Sequence, residues 1–339
     1  MQSTIDKYGE SIENGTTDPT RDVNRLGSGL VFDPEDTQTP LQVLGFGIHK
    51  LLGSTETGET GGREYVLVPM DGAFEIEAEG QTFPVERNGG PFAGERGEST
   101  ASALYIPRDS SYRIEGTGEL IYYTAPSSRK LKPVYVPRGR GINASRGELF
   151  WRRNVTTLIE PGISSNLIVG ETYSPPALWS GTPTHVHDTA DATRGESSHE
   201  EVYYHRSRMV GREIPNYAVQ LLFDGKIMNR AYLCPNRTAV AIPGGSHPVI
   251  ASPVSDCIYN FGLAGDEAPL GMRDLDDFAY LKEIGPFLDE IRTENNGQFS
   301  VSVAGRVLDD FARKKGLDDY QRKITELIAA EWGITFEIR

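Results

Sequence analysis

Cysteine is nearly absent from this chain: only Cys234 and Cys257 occur in 339 residues. Two thiols make neither a disulfide framework nor a cysteine-based metal site, so a reducing, cytoplasmic setting is expected. Basic residues are also in deficit, 34 against 48 acidic ones, giving a formal net charge of −14. An acidic surface repels phosphate backbones, which argues against nucleic acid as a partner. The arginines of the Arg138–Arg146 stretch sit among Pro and Gly and read as part of a linker. No run of about 18 apolar residues exists, so no membrane span or membrane partner is expected. The polar stretch Met1–Asn24 lacks the apolar centre of a secretory signal. Histidine is scarce too, with six in the chain, and their placement carries most of the information.

Residues 1–38 are polar and read as an arm with little core of its own. From residue 39 to 145, short apolar runs such as Tyr65-Val66-Leu67-Val68 and Glu119-Leu120-Ile121-Tyr122-Tyr123 alternate with Gly-rich turns. Strands of that length and spacing indicate an all-β barrel or sandwich. A second such region covers 146–268, with Val202-Tyr203-Tyr204 and Ala218-Val219-Gln220-Leu221-Leu222-Phe223. The two regions read as copies. Ile106-Pro107 through Ile114 parallels Ile242-Pro243 through Ile250, which sets His247 opposite Ser111. Glu64 is taken as the counterpart of Glu201. Residues 269–339 change character. Phe287, Leu288 and Ile291, then Val307, Leu308 and Phe311, then Tyr320, Ile324, Leu327, Ile328 and Trp332 recur at helical spacing. These helices are expected to pack Phe311, Leu327 and Trp332 on the barrel or at a homo-oligomer contact, with Gly316 ending one helix and Leu317-Asp318 beginning the next.

The chemistry concentrates in Thr184-His185-Val186-His187-Asp188, with Glu201 and His247 downstream. On a strand, residues two apart share a face, so His185 and His187 can reach one ion. Gly244-Gly245 ahead of His247 permits a tight turn. Three imidazoles and one carboxylate suit a divalent ion such as zinc, manganese, iron or nickel, with positions left open for water or substrate. Glu200 competes with Glu201 as the carboxylate ligand. Glu201 is preferred because it shares an inward face with Tyr203 and His205. His49 and His199 are read as structural.

At these residues the chain resembles the cupin superfamily, and within it the 5-deoxy-glucuronate isomerase family of inositol catabolism, related to 5-keto-4-deoxyuronate isomerase. The resemblance spans roughly residues 40–265. It rests on Val169 through Pro176, Trp179 through Asp188, Glu200 through Arg206 and Ile242 through Val249. It implies a bicupin, two β-barrel domains with a C-terminal helical extension, and metal only in the second barrel, on His185, His187, Glu201 and His247. The implied activity is metal-dependent aldose–ketose isomerisation of a small uronic-acid-type sugar through an enediol. Tyr203 and His205 are the candidates for proton transfer, and Arg153 and Arg206 for the substrate carboxylate. Alternation points Arg206 outward. The competing readings are a metal-dependent cupin dioxygenase and a non-catalytic sugar-acid-binding bicupin.

Overall fold

The computed structural model describes residues 4–94, 98–265, 269–298 and 300–337. The first β body is a sheet with strand order 29–32, 45–59, 111–126, 63–69, 103–106, 134–136, and the long strand Ser111–Pro126 also pairs with Gly72–Ala78. The second has a sheet of order 20–22, 238–242, 196–209, 255–265, 168–174, 153–159, 142–146, faced by a four-stranded sheet of order 179–180, 249–251, 217–223, 229–235. The expected end of the second barrel at residue 268 lies outside the described residues. No helix among the described residues is long and apolar enough to cross a membrane.

Alternation along the strand Glu196–Met209 divides its side chains between two cores. Tyr203 belongs to the interior of the second barrel, with Tyr259, Phe261 and Leu263. Val202 and Tyr204 face the other way, into a core shared by both halves with Phe46, Tyr123 and Val169. Leu67, Phe74, Ile76 and Ile106 fill the first barrel.

The ladders give the correspondence between the halves. Tyr65 lies opposite Ile106 and Glu201 opposite Ile242, so Tyr65 is the counterpart of Glu201 and Glu64 that of Glu200. This corrects the pairing of Glu64 with Glu201 by one residue, and one residue along a strand is a change of face. The side chains agree. The Glu64 carboxylate accepts from the backbone N–H groups of Ser165, Asn166 and Leu167 in the second half. Glu200 accepts from those of Gln42, Val43 and Leu44 in the first half, and from the Thr4 hydroxyl.

Two segments depart from the sequence reading. The arm is built into the body. Thr4–Glu13 is a helix that buries Tyr8 and Ile12 against the second barrel, and Thr20–Asp22 pairs with Thr238–Val240 of that barrel. The Arg138–Arg146 stretch is not wholly linker. Ile142–Arg146 is a strand laddered onto Arg153–Thr157; its polar composition hides an edge strand, where only one side of the backbone has to be paired.

The C-terminal residues form helices Leu281–Glu294, Arg306–Lys315 and Asp319–Glu331, plus a parallel strand pair, Val301–Ala304 with Ile334–Glu337. Gly316 stops the second helix in the left-handed region, φ 67°. Asp318 starts the third through a capping box with Gln321. Leu327 is 52% exposed rather than packed, because that helix turns Thr325 and Ala329 inward. Phe311 stacks on Phe287 with ring centroids 3.9 Å apart. Phe311→Ala should therefore cost about 3–5 kcal/mol, read as a lower urea midpoint with unchanged slope. An unchanged midpoint would show that this core does not support the fold.

Candidate metal centre

Three side chains converge at the inner end of the second barrel. The ligand atoms of His187, Glu201 and His247 all lie within 4.8 Å of one another, and all three residues are buried. Glu201 Oε2 is 3.3 Å from His187 Nε2 and 3.0 Å from His247 Nε2. His185 stands beside them, its ring edge-on to His247 at 5.5 Å between centroids.

Each ring is aimed by its other nitrogen. His185 Nδ1 meets the Pro183 carbonyl at 3.1 Å, His187 Nδ1 the His199 carbonyl at 3.1 Å, and His247 Nδ1 the Gly245 carbonyl at 2.8 Å. A carbonyl only accepts, so Nδ1 carries the proton and Nε2 presents a lone pair. Lone pairs and a carboxylate oxygen facing one another repel unless a cation lies between them. His247 Nε2 is buried with no hydrogen-bond partner among the described residues, so the donor set fits a divalent ion.

Burial and these same contacts set the electrostatics. Burial, reinforced by His247 and His187, takes the His185 ring down to about 3, so it is neutral at physiological pH. Burial pushes the Glu201 carboxyl up, but the His187 and His247 contacts outweigh it and hold it near 2. Burial lowers His187, and the facing Glu201 reverses that, for a net rise.

Supporting contacts fix the two ligand-bearing loops to each other. Asp188 Oδ2 accepts from the Gly245 N–H at 2.6 Å. Gly244 and Gly245 have φ of 152° and 76°, and a Cβ on Gly244 would come within 2.7 Å of Asp188 Cβ. Gln220 Nε2 donates to the His247 carbonyl at 2.6 Å. The strand His185–Val186 is paired by Arg273–Asp274. Spacing along the chain announces none of these partners; the Asp following His-X-His and the double glycine were the available signals.

The centre opens into a cavity of about 550 Å³, whose lining includes His185, Glu201, Tyr203, Arg153, Tyr259 and Thr172. Tyr259 and Thr172 are additions to the sequence reading. Burial, then Glu201, raises the Tyr203 phenol well above its usual range, so it stays protonated. Nη1 of Arg153 donates to the carbonyls of Thr182 at 2.7 Å and Trp151 at 3.3 Å. The remaining sequence candidates fall elsewhere. His205 is fully buried and does not line the cavity. Its ring lies 6.1 Å from Tyr203 and 5.7 Å from Tyr259, and burial lowers its pKa to about 4. Arg206 turns to Asn236 and Glu119, outside the cavity. Glu200 is occupied by the first half, as described above. His49 is buried and stacks on Tyr122 at 4.7 Å, and His199 contributes the carbonyl that orients His187.

A family model for KduI/IolB matches residues 20–281. The chain belongs to the KduI/IolB family. It is 27% identical over 259 residues to the 5-deoxy-glucuronate isomerase of Lacticaseibacillus casei, covering 72% of this chain and 86% of that one. It is 26% identical to the enzyme of the same name from Geobacillus kaustophilus, covering 73% and 88%. Among solved structures, an IolB-like protein from Salmonella typhimurium superposes with a TM-score of 0.71 at 22% identity, over 78% of this chain and all of that one. Bacillus subtilis oxalate decarboxylase, as a single-substitution mutant, gives 0.50 at 10% identity, over 76% and 80%. These likenesses show the fold: a mostly-β bicupin, here with a C-terminal helical region.

Proposed function

We propose that the protein is an intramolecular oxidoreductase, a sugar isomerase that interconverts the aldose and ketose forms of a uronic-acid-type sugar, with 5-deoxy-glucuronate as the first substrate to test. The observation that carries this reading is the converging His187–Glu201–His247 set with its aimed imidazoles, at the end of a cavity with ample room for a monosaccharide. The KduI/IolB membership and the names of its relatives supply the substrate class. His185 completes the ligand set as a fourth donor. A divalent ion bound there would supply a Lewis acid for the sugar carbonyl.

The chain's own groups then have distinct tasks. Tyr203 holds its proton at Oη beside Glu201 and can donate it to a substrate oxygen. His205 packs behind Tyr203 and Tyr259 and positions their rings. Arg153 borders the cavity and has no carboxylate within ion-pair distance among the described residues, so its guanidinium is available to a substrate carboxylate. Burial lowers it from its usual range, yet an arginine stays charged at any physiological pH. The two free, buried thiols suit a cytoplasmic enzyme.

The test is an NMR assay of the metal-loaded protein on 5-deoxy-glucuronate and related uronates, run with and without oxygen. Turnover without oxygen or nicotinamide is expected. Tyr203→Phe should keep metal and lose about 10²–10⁴ in kcat, whereas His205→Gln should lose much less. Strict oxygen dependence of any turnover would overturn the isomerase reading in favour of a dioxygenase.

A further inference from the structure

One wall of the cavity comes from the C-terminal helical region. Leu281, Lys282 and Pro286 of the helix Leu281–Glu294 line it, together with Met272 and Asp274. The family match ends at residue 281, so Lys282 and Pro286 lie beyond it.

This wall is fixed to the body. At Gly285 a Cβ would come within 2.0 Å of Glu148 Cγ, so the helix backbone sits directly on that side chain. Ile284 and Leu288 share a core with Leu149 and Trp151. Asp274 forms an ion pair with Lys282 and lies opposite His185 in the ladder. Pro286 has no N–H, so the Lys282 carbonyl lacks its usual i+4 donor beside the cavity.

The cavity is richer in cations than the acidic molecule as a whole. The chain has a net charge of −14, yet on this cavity Arg146, Arg153 and Lys282 balance Glu148, Glu201 and Asp274. Arg153 lines the cavity from the barrel and Lys282 from the helix, with its side chain 59% exposed and Asp274 as its ion-pair partner. The ammonium is the solvent-facing member of the pair, Asp274 being only 15% exposed, so it is Lys282 that can turn to another anion.

We propose that Lys282 is a specificity-determining residue. Its ammonium leaves Asp274 and, together with Arg153, clamps the substrate carboxylate between the barrel and the appended helix, so that the C-terminal region selects acidic over neutral sugars. This rests on the isomerase reading and assigns its carboxylate site.

The experiment measures equilibrium binding of glucuronate and glucose to the metal-loaded full-length chain by calorimetry, beside steady-state kinetics on the best uronate. Lys282→Ala should weaken glucuronate binding and raise KM about ten- to hundredfold. It should leave kcat within about threefold, with metal content, melting temperature and the weak binding of glucose unchanged. Lys282→Arg should restore most of the affinity, and Asp274→Asn, which removes the competing anion, should tighten it. If the wild type turns over a uronate and Lys282→Ala binds it equally well, the assignment of Lys282 is overturned while the isomerase reading stands. If the wild type neither binds nor converts any uronate, both fall.

Discussion

His247→Ala protein, purified and dialysed against a chelator, should retain almost no divalent metal, and its turnover should fall in the same proportion. The reason is geometric. His247 Nε2 faces Glu201 at 3.0 Å, and the neighbouring imidazoles, His185 and His187, already face the same site. Removing one outer contact of a metal ligand typically costs about 10–100-fold in affinity, and removal of the ligand itself should exceed that. Asp188→Ala provides the calibration. It leaves every ligand in place and removes only the carboxylate that holds the Gly245 N–H, so its loss should fall inside the smaller range. Metal stoichiometry by mass spectrometry and competition with a chromophoric chelator measure both. A His247→Ala protein with full metal content would remove His247 from the centre.

The second large effect is on stability. Arg87 of the first half is fully buried and donates from Nη1 and Nη2 to the two Glu171 oxygens of the second, at 2.9 and 2.8 Å. Thr100 accepts from Arg87 Nε, and Asn260 donates to Glu171. Glu171→Ala strands a guanidinium in the interior and should cost about 3–5 kcal/mol. The double replacement Arg87→Met with Glu171→Met removes both charges and should recover most of that loss, since a buried pair owes much of its apparent strength to the penalty of breaking it. Urea unfolding of the wild type, Arg87→Met, Glu171→Met and the double variant closes the cycle, with Glu171→Ala measured beside them. A Glu171→Ala protein as stable as the wild type would show that the pair does not hold the halves together.

How much of this was legible follows from how local each signal is. His187, Glu201 and His247 are visible because strand alternation and a glycine turn are properties of neighbouring residues. Gly316 and Asp318 mark helix ends for the same reason. The contacts between Asp188 and Gly245, and between Gly285 and Glu148, join residues remote in sequence, and nothing near either one names its partner. Arg146 is misleading in the other direction: a Pro/Gly-rich neighbourhood suggests a linker, while the side chain borders the cavity. The N-terminal helix is a different case. Ile5, Tyr8 and Ile12 do recur at helical spacing, but the polar composition around them masks so short a stripe.

The crossed carboxylates also constrain when the protein can be finished. Glu64 is synthesised 102 residues before Asn166, one of the amides it must accept from. Gln42, whose amide is destined for Glu200, waits 158 residues. Until those partners emerge, the growing chain holds a carboxylate and a run of amides that only water can satisfy. The N-terminal half thus leaves the ribosome with these groups open to water, although the residues of its own barrel core are all in place. A gene cut between the halves would yield two polypeptides that each lack the partners of a buried carboxylate until they meet.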